Sequence, residues 1–414
     1  MRLSESDNNA IREYFPRVKT VRQLAELLNI IYEIRFPKRN AEQQVTIEAR
    51  HLTYYAFQPE VRAYQYFDIR KKSGSTRRIC APRYKLKTIQ KCLNSLLQAL
   101  YSPSEAAFGF VAKRNIVDNA SRHVGKRFVY NLDLANFFPS INFGRVRAVL
   151  RLPPYLLTDD EGDKRADNSV QKLDGRGYLG FIIANICCHE GSLPQGAPTS
   201  PTLSNIVSQR LDKKLLRFAR RHKITYTRYA DDITFSANRN VFSADFRQEL
   251  YDIIRTEQFE PNLQKERLQN REQRQSVTGI IVNNRLNLPC KYLKNIRYWL
   301  HYAEKYGEKA TVKRFELLRA QKGEPMPKSK LMPVFFKRYL QGKIRYFAMV
   351  RGANDALSLR LQTRFDNIYS DANGQAQSDS PISDDSHLAI ENIANILAFW
   401  SKEGLDNAAN KYEL

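Results

Sequence analysis

The chain has 414 residues, 42% of them hydrophobic, which allows a large core and, by length alone, about two or three domains. Its 67 Lys and Arg against 43 Asp and Glu leave a formal net charge of +24, an excess that calls for an acidic partner such as nucleic acid or an anionic membrane. The longest apolar run, near Phe181–Cys188, is too short to cross a bilayer, and the polar start Met1-Arg2-Leu3-Ser4-Glu5 does not read as a secretory signal. A cytoplasmic protein with no membrane partner is therefore expected. The five cysteines, Cys80, Cys92, Cys187, Cys188 and Cys290, show no C-x-x-C spacing, so neither zinc nor a disulfide framework is expected.

Taken in chain order, Val21, Leu24, Leu27, Leu28 and Ile31 recur at helical spacing within residues 17–32. Tyr64–Ile69 reads as a strand, residues 71–75 as a basic turn, and Arg77–Cys80 as a returning strand stopped by Pro82. A helix is predicted over Leu86–Leu100, a strand over Phe128–Leu134 and a helix over Ser140–Leu150. Residues 157–178 are polar and aperiodic and are expected to form an exposed insertion. One helix is predicted from about Thr202 to His222, then strands Ile224–Tyr229 and Ile233–Ser236 flanking Ala230-Asp231-Asp232 as a hairpin. A helix over Asp245–Glu257 and a strand over Val277–Val282 follow. Residues 285–351 are helical in pattern and carry 17 Lys or Arg against 4 Glu, the charge of a nucleic-acid-facing surface. Residues 371–386 hold no basic residue and read as an acidic linker. Beyond them a last helix places Trp400 on an apolar face, either docked on a partner or packed back on its own chain.

Asp133 ends an apolar strand, and Asp231 and Asp232 sit at the tip of a predicted hairpin. Converging carboxylates of this kind suit hard divalent cations, and joining a hydroxyl to a nucleoside triphosphate needs little else beyond positioning and charge neutralisation. Because neighbouring strand residues point to opposite faces, Asp231 is the firmer expected ligand and Asp232 the looser one. Taken alone, an Asp-Asp pair also reads as an ordinary turn.

The surrounding residues resemble a known family. Tyr229-Ala230-Asp231-Asp232 is similar to the Y-x-D-D box of reverse transcriptases, Leu132 to Ile141 (LDLANFFPSI) to their first catalytic motif, and Leu193 to Pro201 (LPQGAPTSP) with Ser204-Asn205 to their nucleotide-side motif. Asn119-Ala120-Ser121-Arg122-His123 and Val277-Thr278-Gly279 are similar to the N-A-x-x-H and V-T-G motifs of bacterial retron reverse transcriptases. The resemblance covers residues 50–350, most of the chain.

It implies an α+β right-hand polymerase with fingers, a ferredoxin-like palm and a helical thumb. The implied division is an N-terminal helix and fingers (1–126), a palm with the polar insertion and further fingers elements (127–282), a basic thumb (283–370), the linker (371–386) and the last helix (387–414). The implied activity is copying part of a structured non-coding RNA of the msr-msd type from a guanosine 2′-hydroxyl. The product would be branched msDNA, made with two magnesium ions on Asp133, Asp231 and Asp232, in a defence system with an effector protein. Another bacterial defence reverse transcriptase that uses no retron RNA, or a non-catalytic RNA-binding scaffold, are the alternative readings.

The resemblance also implies residue roles. Lys72 and Arg77 would meet the incoming dNTP, point charge and bidentate fork both suiting phosphate; a solvated turn is the plain alternative. Phe138 would crowd a ribose 2′-hydroxyl or else serve the core. Gln195 and Gly196 would hold the nucleotide, Gly196 by allowing close backbone approach. Lys265 stands where polymerases place a lysine near leaving pyrophosphate, although Gln264 and Pro261 depart from the usual pattern. Asn119, His123, Val277, Thr278 and Gly279 would serve RNA, template or primer, with burial the competing account for His123 and a core strand ending in a turn the competing account for Val277 to Gly279. Lys291, Lys294 and Arg297, with Tyr292, Trp299, Tyr302 and Tyr306, would contact RNA by charge and stacking; a solvated helix surface with core aromatics is the plain alternative.

Overall fold

The computed structural model describes residues 3–37, 45–57, 64–70, 76–158, 175–324, 327 and 331–370. Lys72, most of the polar insertion, the acidic linker and the Trp400 helix lie outside these residues.

The site is carried by a four-stranded antiparallel sheet of order β4-β5-β3-β6, formed by β3 (Phe128–Ala135), β4 (Thr225–Tyr229), β5 (Asp232–Ala237) and β6 (Glu260–Asn270). Its two faces follow from the two-residue period of a strand. Tyr130, Leu132 and Leu134 of β3, and Ile233 and Phe235 of β5, enter the larger core. That places Asn131 and Asp133, with their partners Thr234 and Asp232, on the opposite face. Behind the sheet lie α9 (Gln209–Arg221), burying Leu211, Leu215 and Phe218, and α10 (Ala244–Thr256), burying Phe246, Leu250 and Ile254. Ser243 caps α10 by accepting from the Phe246 amide at 3.2 Å.

The N-terminal half supplies helices α1 (Glu5–Tyr14), α2 (Val21–Arg35), α3 (Ala49–Phe57) and α4 (Tyr84–Leu100), the hairpin of β1 (Tyr64–Arg70) and β2 (Thr76–Pro82), and the short α5 (Ile116–Ser121). Thr20 and Gln23 form a reciprocal capping box that starts α2. Helix α6 (Phe143–Leu150) begins at the Asn142 cap rather than at Ser140.

Helix α7 (Arg176–Cys187) corrects the expected insertion, whose described ends are built into the protein. Leu157 is buried, and Arg176 donates to the carbonyls of Phe15, Pro16, Val18, Tyr155 and Leu156. The single helix predicted over Thr202–His222 is two, α8 (Ser200–Val207) and α9, separated at Ser208.

After the sheet come a tight hairpin, β7 (Ser276–Val277) and β8 (Ile280–Ile281), and three helices, α11 (Cys290–Gln321, broken at Gly307 with φ 75°), α12 (Met332–Arg351) and α13 (Ala356–Ser370). These helices bury Ile296, Trp299, Phe336, Phe347 and Phe365 in a second core, which also takes Val129 of β3, Val277 and Ile280. Among the described residues all five cysteines are free, and no helix is long and apolar enough to cross a membrane. This mixed helix-and-sheet architecture agrees with the right-hand polymerase fold expected.

Candidate active site

Antiparallel pairing puts Asp133 of β3 directly opposite Asp232 of β5, while β4 and β5 pair through Tyr229 and Asp232, leaving Ala230-Asp231 as a two-residue loop. Ala230 adopts a left-handed φ of 56° to close it. The Leu134 amide donates to the Asp231 carbonyl at 3.0 Å, fastening the loop to β3. Carboxylate oxygens of Asp133, Asp231 and Asp232 come within 4.8 Å of one another. Strand alternation would rank Asp232 below Asp231 as a ligand; Asp231 lies in the loop, so alternation does not apply, and all three converge.

On its other side β3 meets β6 with an irregularity between Asn131 and Asp133, a bulge of the kind that re-aims a side chain. The Lys265 ammonium of β6 ion-pairs with the Asp133 carboxylate. Strand β6 is not among the predicted elements because its sequence, EPNLQKERLQN, is nearly all polar. A donor set of three hard carboxylate oxygens, with a flexible cation able to leave Asp133, fits a divalent metal.

Asp133 and Asp232 border a groove of about 510 Å³ lined also by Asn131, Lys265, Arg267, Thr278 and Gly279. The predicted strand over Val277–Val282 is in fact the β7–β8 hairpin. Thr278 (φ 48°) and Gly279 (φ 84°) form its turn, the left-handed pair that a two-residue hairpin loop demands. Val277 is fully buried and points away into the second core, which corrects the expectation of a direct nucleic-acid contact there.

Asn119 and His123 require the same correction, since their side chains are 1% and 0% exposed. The His123 ring lies between β4 and β5, with Nδ1 2.7 Å from Ser236 Oγ and Nε2 2.7 Å from Thr227 Oγ1. Burial, with a smaller contribution from Lys126, pulls its pKa down to about 3. The neutral ring thus pins the hairpin that carries Asp231.

Of the residues expected at the nucleotide, Arg77 is half-buried on β2 opposite Ile69. The Cys80 amide donates to the Gln195 carbonyl at 2.8 Å. Gly196 has φ 127°, and a Cβ there would stand 2.8 Å from Ile79 Cγ2 and 2.9 Å from the Cys80 carbonyl oxygen. A close approach that requires glycine is thus made to β2. Phe138 is half-buried, its ring 5.4 Å from Phe137 and 6.2 Å from Phe110. Phe110, 43% exposed with φ 60°, is not a sequence-predicted site residue because no local pattern marks a left-handed aromatic.

On α11, Lys291, Lys294 and Arg297 are exposed. Tyr298, Tyr302 and Tyr306 form a ladder along the helix with centroid separations of 5.9 and 4.6 Å. Trp299 is 4% exposed and joins the second core, while Tyr292 packs beneath the Lys343 ammonium, 4.5 Å from its ring. Trp299 is thus not available for stacking on RNA, whereas Tyr298 is exposed.

Comparison with known proteins places this geometry. The family described as reverse transcriptase (RNA-dependent DNA polymerase) matches residues 186–293, from the end of α7 to the start of α11. The chain is 37% identical over 262 residues to the retron Mx65 reverse transcriptase of Myxococcus xanthus, covering 61% of this chain and 58% of that protein. It is 33% identical over 256 residues to the retron Mx162 reverse transcriptase of the same organism, covering 56% of this chain and 50% of that protein. With the retron Ec86 reverse transcriptase of Escherichia coli it shares 29% over 263 residues, 63% of this chain and 75% of that protein. The matched region thus spans between half and three-fifths of the two Myxococcus relatives. Carboxylate cluster, hairpin tip and sequence comparison agree: residues 186–293 match the reverse-transcriptase family, and the chain is similar to retron reverse transcriptases of bacteria.

Proposed function

We propose that the chain is an RNA-directed DNA polymerase that copies part of its own msr-msd type non-coding RNA from dNTPs. It begins at a guanosine 2′-hydroxyl and yields branched msDNA, in the cytoplasm, within an anti-phage system that includes an effector protein. The observation that carries this reading is the convergence of Asp133, Asp231 and Asp232 within 4.8 Å in a chain whose relatives are retron reverse transcriptases.

Under this reading the three aspartates hold magnesium, which supplies activation of the attacking hydroxyl and charge neutralisation on the triphosphate, two ions sufficing for both. Lys265 swings from Asp133 toward the departing pyrophosphate, a reach its 60% exposed side chain permits. Arg77 grips the triphosphate, and Lys72 with it. Phe138 closes the space a ribose 2′-hydroxyl would need, and Gln195 orients the nucleotide. Thr278 and Gly279 face the nucleic acid across the groove. Residues 1–126, 127–282 and 283–370 act as fingers, palm and thumb, with Lys291, Lys294 and Arg297 neutralising RNA phosphates.

Sequencing the nucleic acid that copurifies with the protein tests the proposal. DNA joined to RNA through a branch is the expected result. RNA without DNA would indicate a scaffold, and unbranched DNA a defence enzyme of another kind.

A further inference from the structure

Arg228 immediately precedes the Tyr229-Ala230-Asp231-Asp232 box and is completely enclosed. Its guanidinium grips Asp212 of α9 in a fork, Nε to Oδ1 at 2.8 Å and Nη2 to Oδ2 at 2.7 Å, and the Tyr226 hydroxyl donates to the same Oδ1 at 2.8 Å. Burial opposes the charge on Arg228, but Asp212 outweighs it, so the group stays protonated. A buried ion pair is weak grounds for stability, because apolar residues of similar volume often do as well. What the fork does with its remaining nitrogen is more telling.

Arg228 Nη1 donates to Asn205 Oδ1 at 3.1 Å and to the carbonyl of Ala230 at 3.1 Å. Ala230 is the first residue of the loop that carries Asp231. Asn205 in turn donates through Nδ2 to the Gly109 carbonyl at 2.8 Å. The segment holding Gly109 runs along the outer edge of β4: the Arg228 amide donates to Ala106 at 2.7 Å and the Phe108 amide to Arg228 at 2.8 Å. Gly109 then lies flat on the loop, where a Cβ would stand 2.5 Å from the Ala230 nitrogen and 3.0 Å from the Tyr229 carbonyl carbon. The loop is thereby held from behind by a closed ring of contacts, while Leu134 holds it in front.

We propose that Arg228, Asn205 and Gly109 are positioning residues, a buried clamp that sets where the Asp231 carboxylate stands relative to Asp133 and Asp232. None of the three is placed to touch nucleotide or RNA. The proposal rests on the reading of the three aspartates as ligands of a divalent cation. Loosening the clamp spoils metal engagement and turnover and leaves nucleotide and RNA affinity alone.

The test uses the full chain with its RNA and three variants: Gly109→Ala, Arg228→Lys and, as reference, Asp231→Asn. Arg228→Lys keeps the buried charge beside Asp212 but loses the fork that reaches Ala230. Gly109→Ala keeps every hydrogen-bonding side chain and pushes only on the loop backbone, so it decides alone if Arg228→Lys does not fold. The readouts are manganese binding by electron paramagnetic resonance, kcat, KM for dNTP, and melting temperature. Manganese affinity is expected to fall roughly tenfold and kcat roughly tenfold or more, with KM for dNTP within about twofold of the parent. Folded Gly109→Ala with parental manganese binding and kcat would overturn the clamp, as would losses that follow the melting temperature alone. Asp231→Asn separates the two claims. If it binds manganese as the parent does, the metal reading fails; if it loses manganese while both clamp variants keep it, only the clamp fails.

Discussion

His123 gives this protein a dependence on acid that can be calculated. Its ring is fully enclosed and both nitrogens are engaged, with Ser236 and Thr227, and burial depresses its pKa from 6.5 to about 3. Between those values the unfolded chain binds a proton at this residue and the folded chain does not, so stability falls as pH falls. From pH 7.5 to 5.5 the unfolded state gains a protonation free energy of RT ln(11/1.1), about 1.4 kcal/mol, with no matching gain in the folded state. His123→Gln retains an amide that can address both hydroxyls and removes the titration. Chemical denaturation of both proteins at the two pH values measures the difference. The parent should lose about 1.4 kcal/mol more than the variant over this interval. Identical losses would show that the ring is not held neutral and that the account of the hairpin pin is wrong.

Three further outcomes rest on named residues. Gly196→Ala forces a side chain into a φ of 127° against Ile79 and Cys80; it should cost about 1–3 kcal/mol, seen as a lower melting temperature. Phe138→Ala should relax selection against ribonucleotides by roughly tenfold or more in kcat/KM ratios, measured with paired dNTP and rNTP substrates. Replacing Lys291, Lys294 and Arg297 together by Ala should weaken RNA binding and flatten its dependence on log salt by roughly 0.7–0.9 for each phosphate no longer neutralised, measured by titration at several salt concentrations.

Much of the fold is legible where a local pattern has one solution. The apolar segment ending at Asp133 and the two strands around Ala230-Asp231 read as a sheet with a hairpin tip, and most of the described part of the basic run from 285 to 351 is helical. The residues that mislead do so for tertiary reasons. Strand β6 is polar in composition, and only its pairing with β3 makes it a strand. Val277–Val282 carries a strand's composition, yet Thr278 and Gly279 turn it back on itself. Burial is the hardest property to read. Asn119, His123 and Trp299 carry the chemistry of recognition residues but lie inside the protein, and their enclosure depends on segments distant in sequence. Arg228 gives the opposite signal, since a charge within a short strand beside the catalytic box has to find a partner such as Asp212 once buried.

The most direct test of the central claim is DNA synthesis by Asp231→Asn with magnesium, measured beside RNA binding at one fixed salt concentration. The three-carboxylate account predicts a fall in synthesis of at least about 10²–10³-fold, with RNA affinity within about twofold of the parent because the exposed cations of α11 are untouched. Full-length DNA made at the parental rate would contradict it.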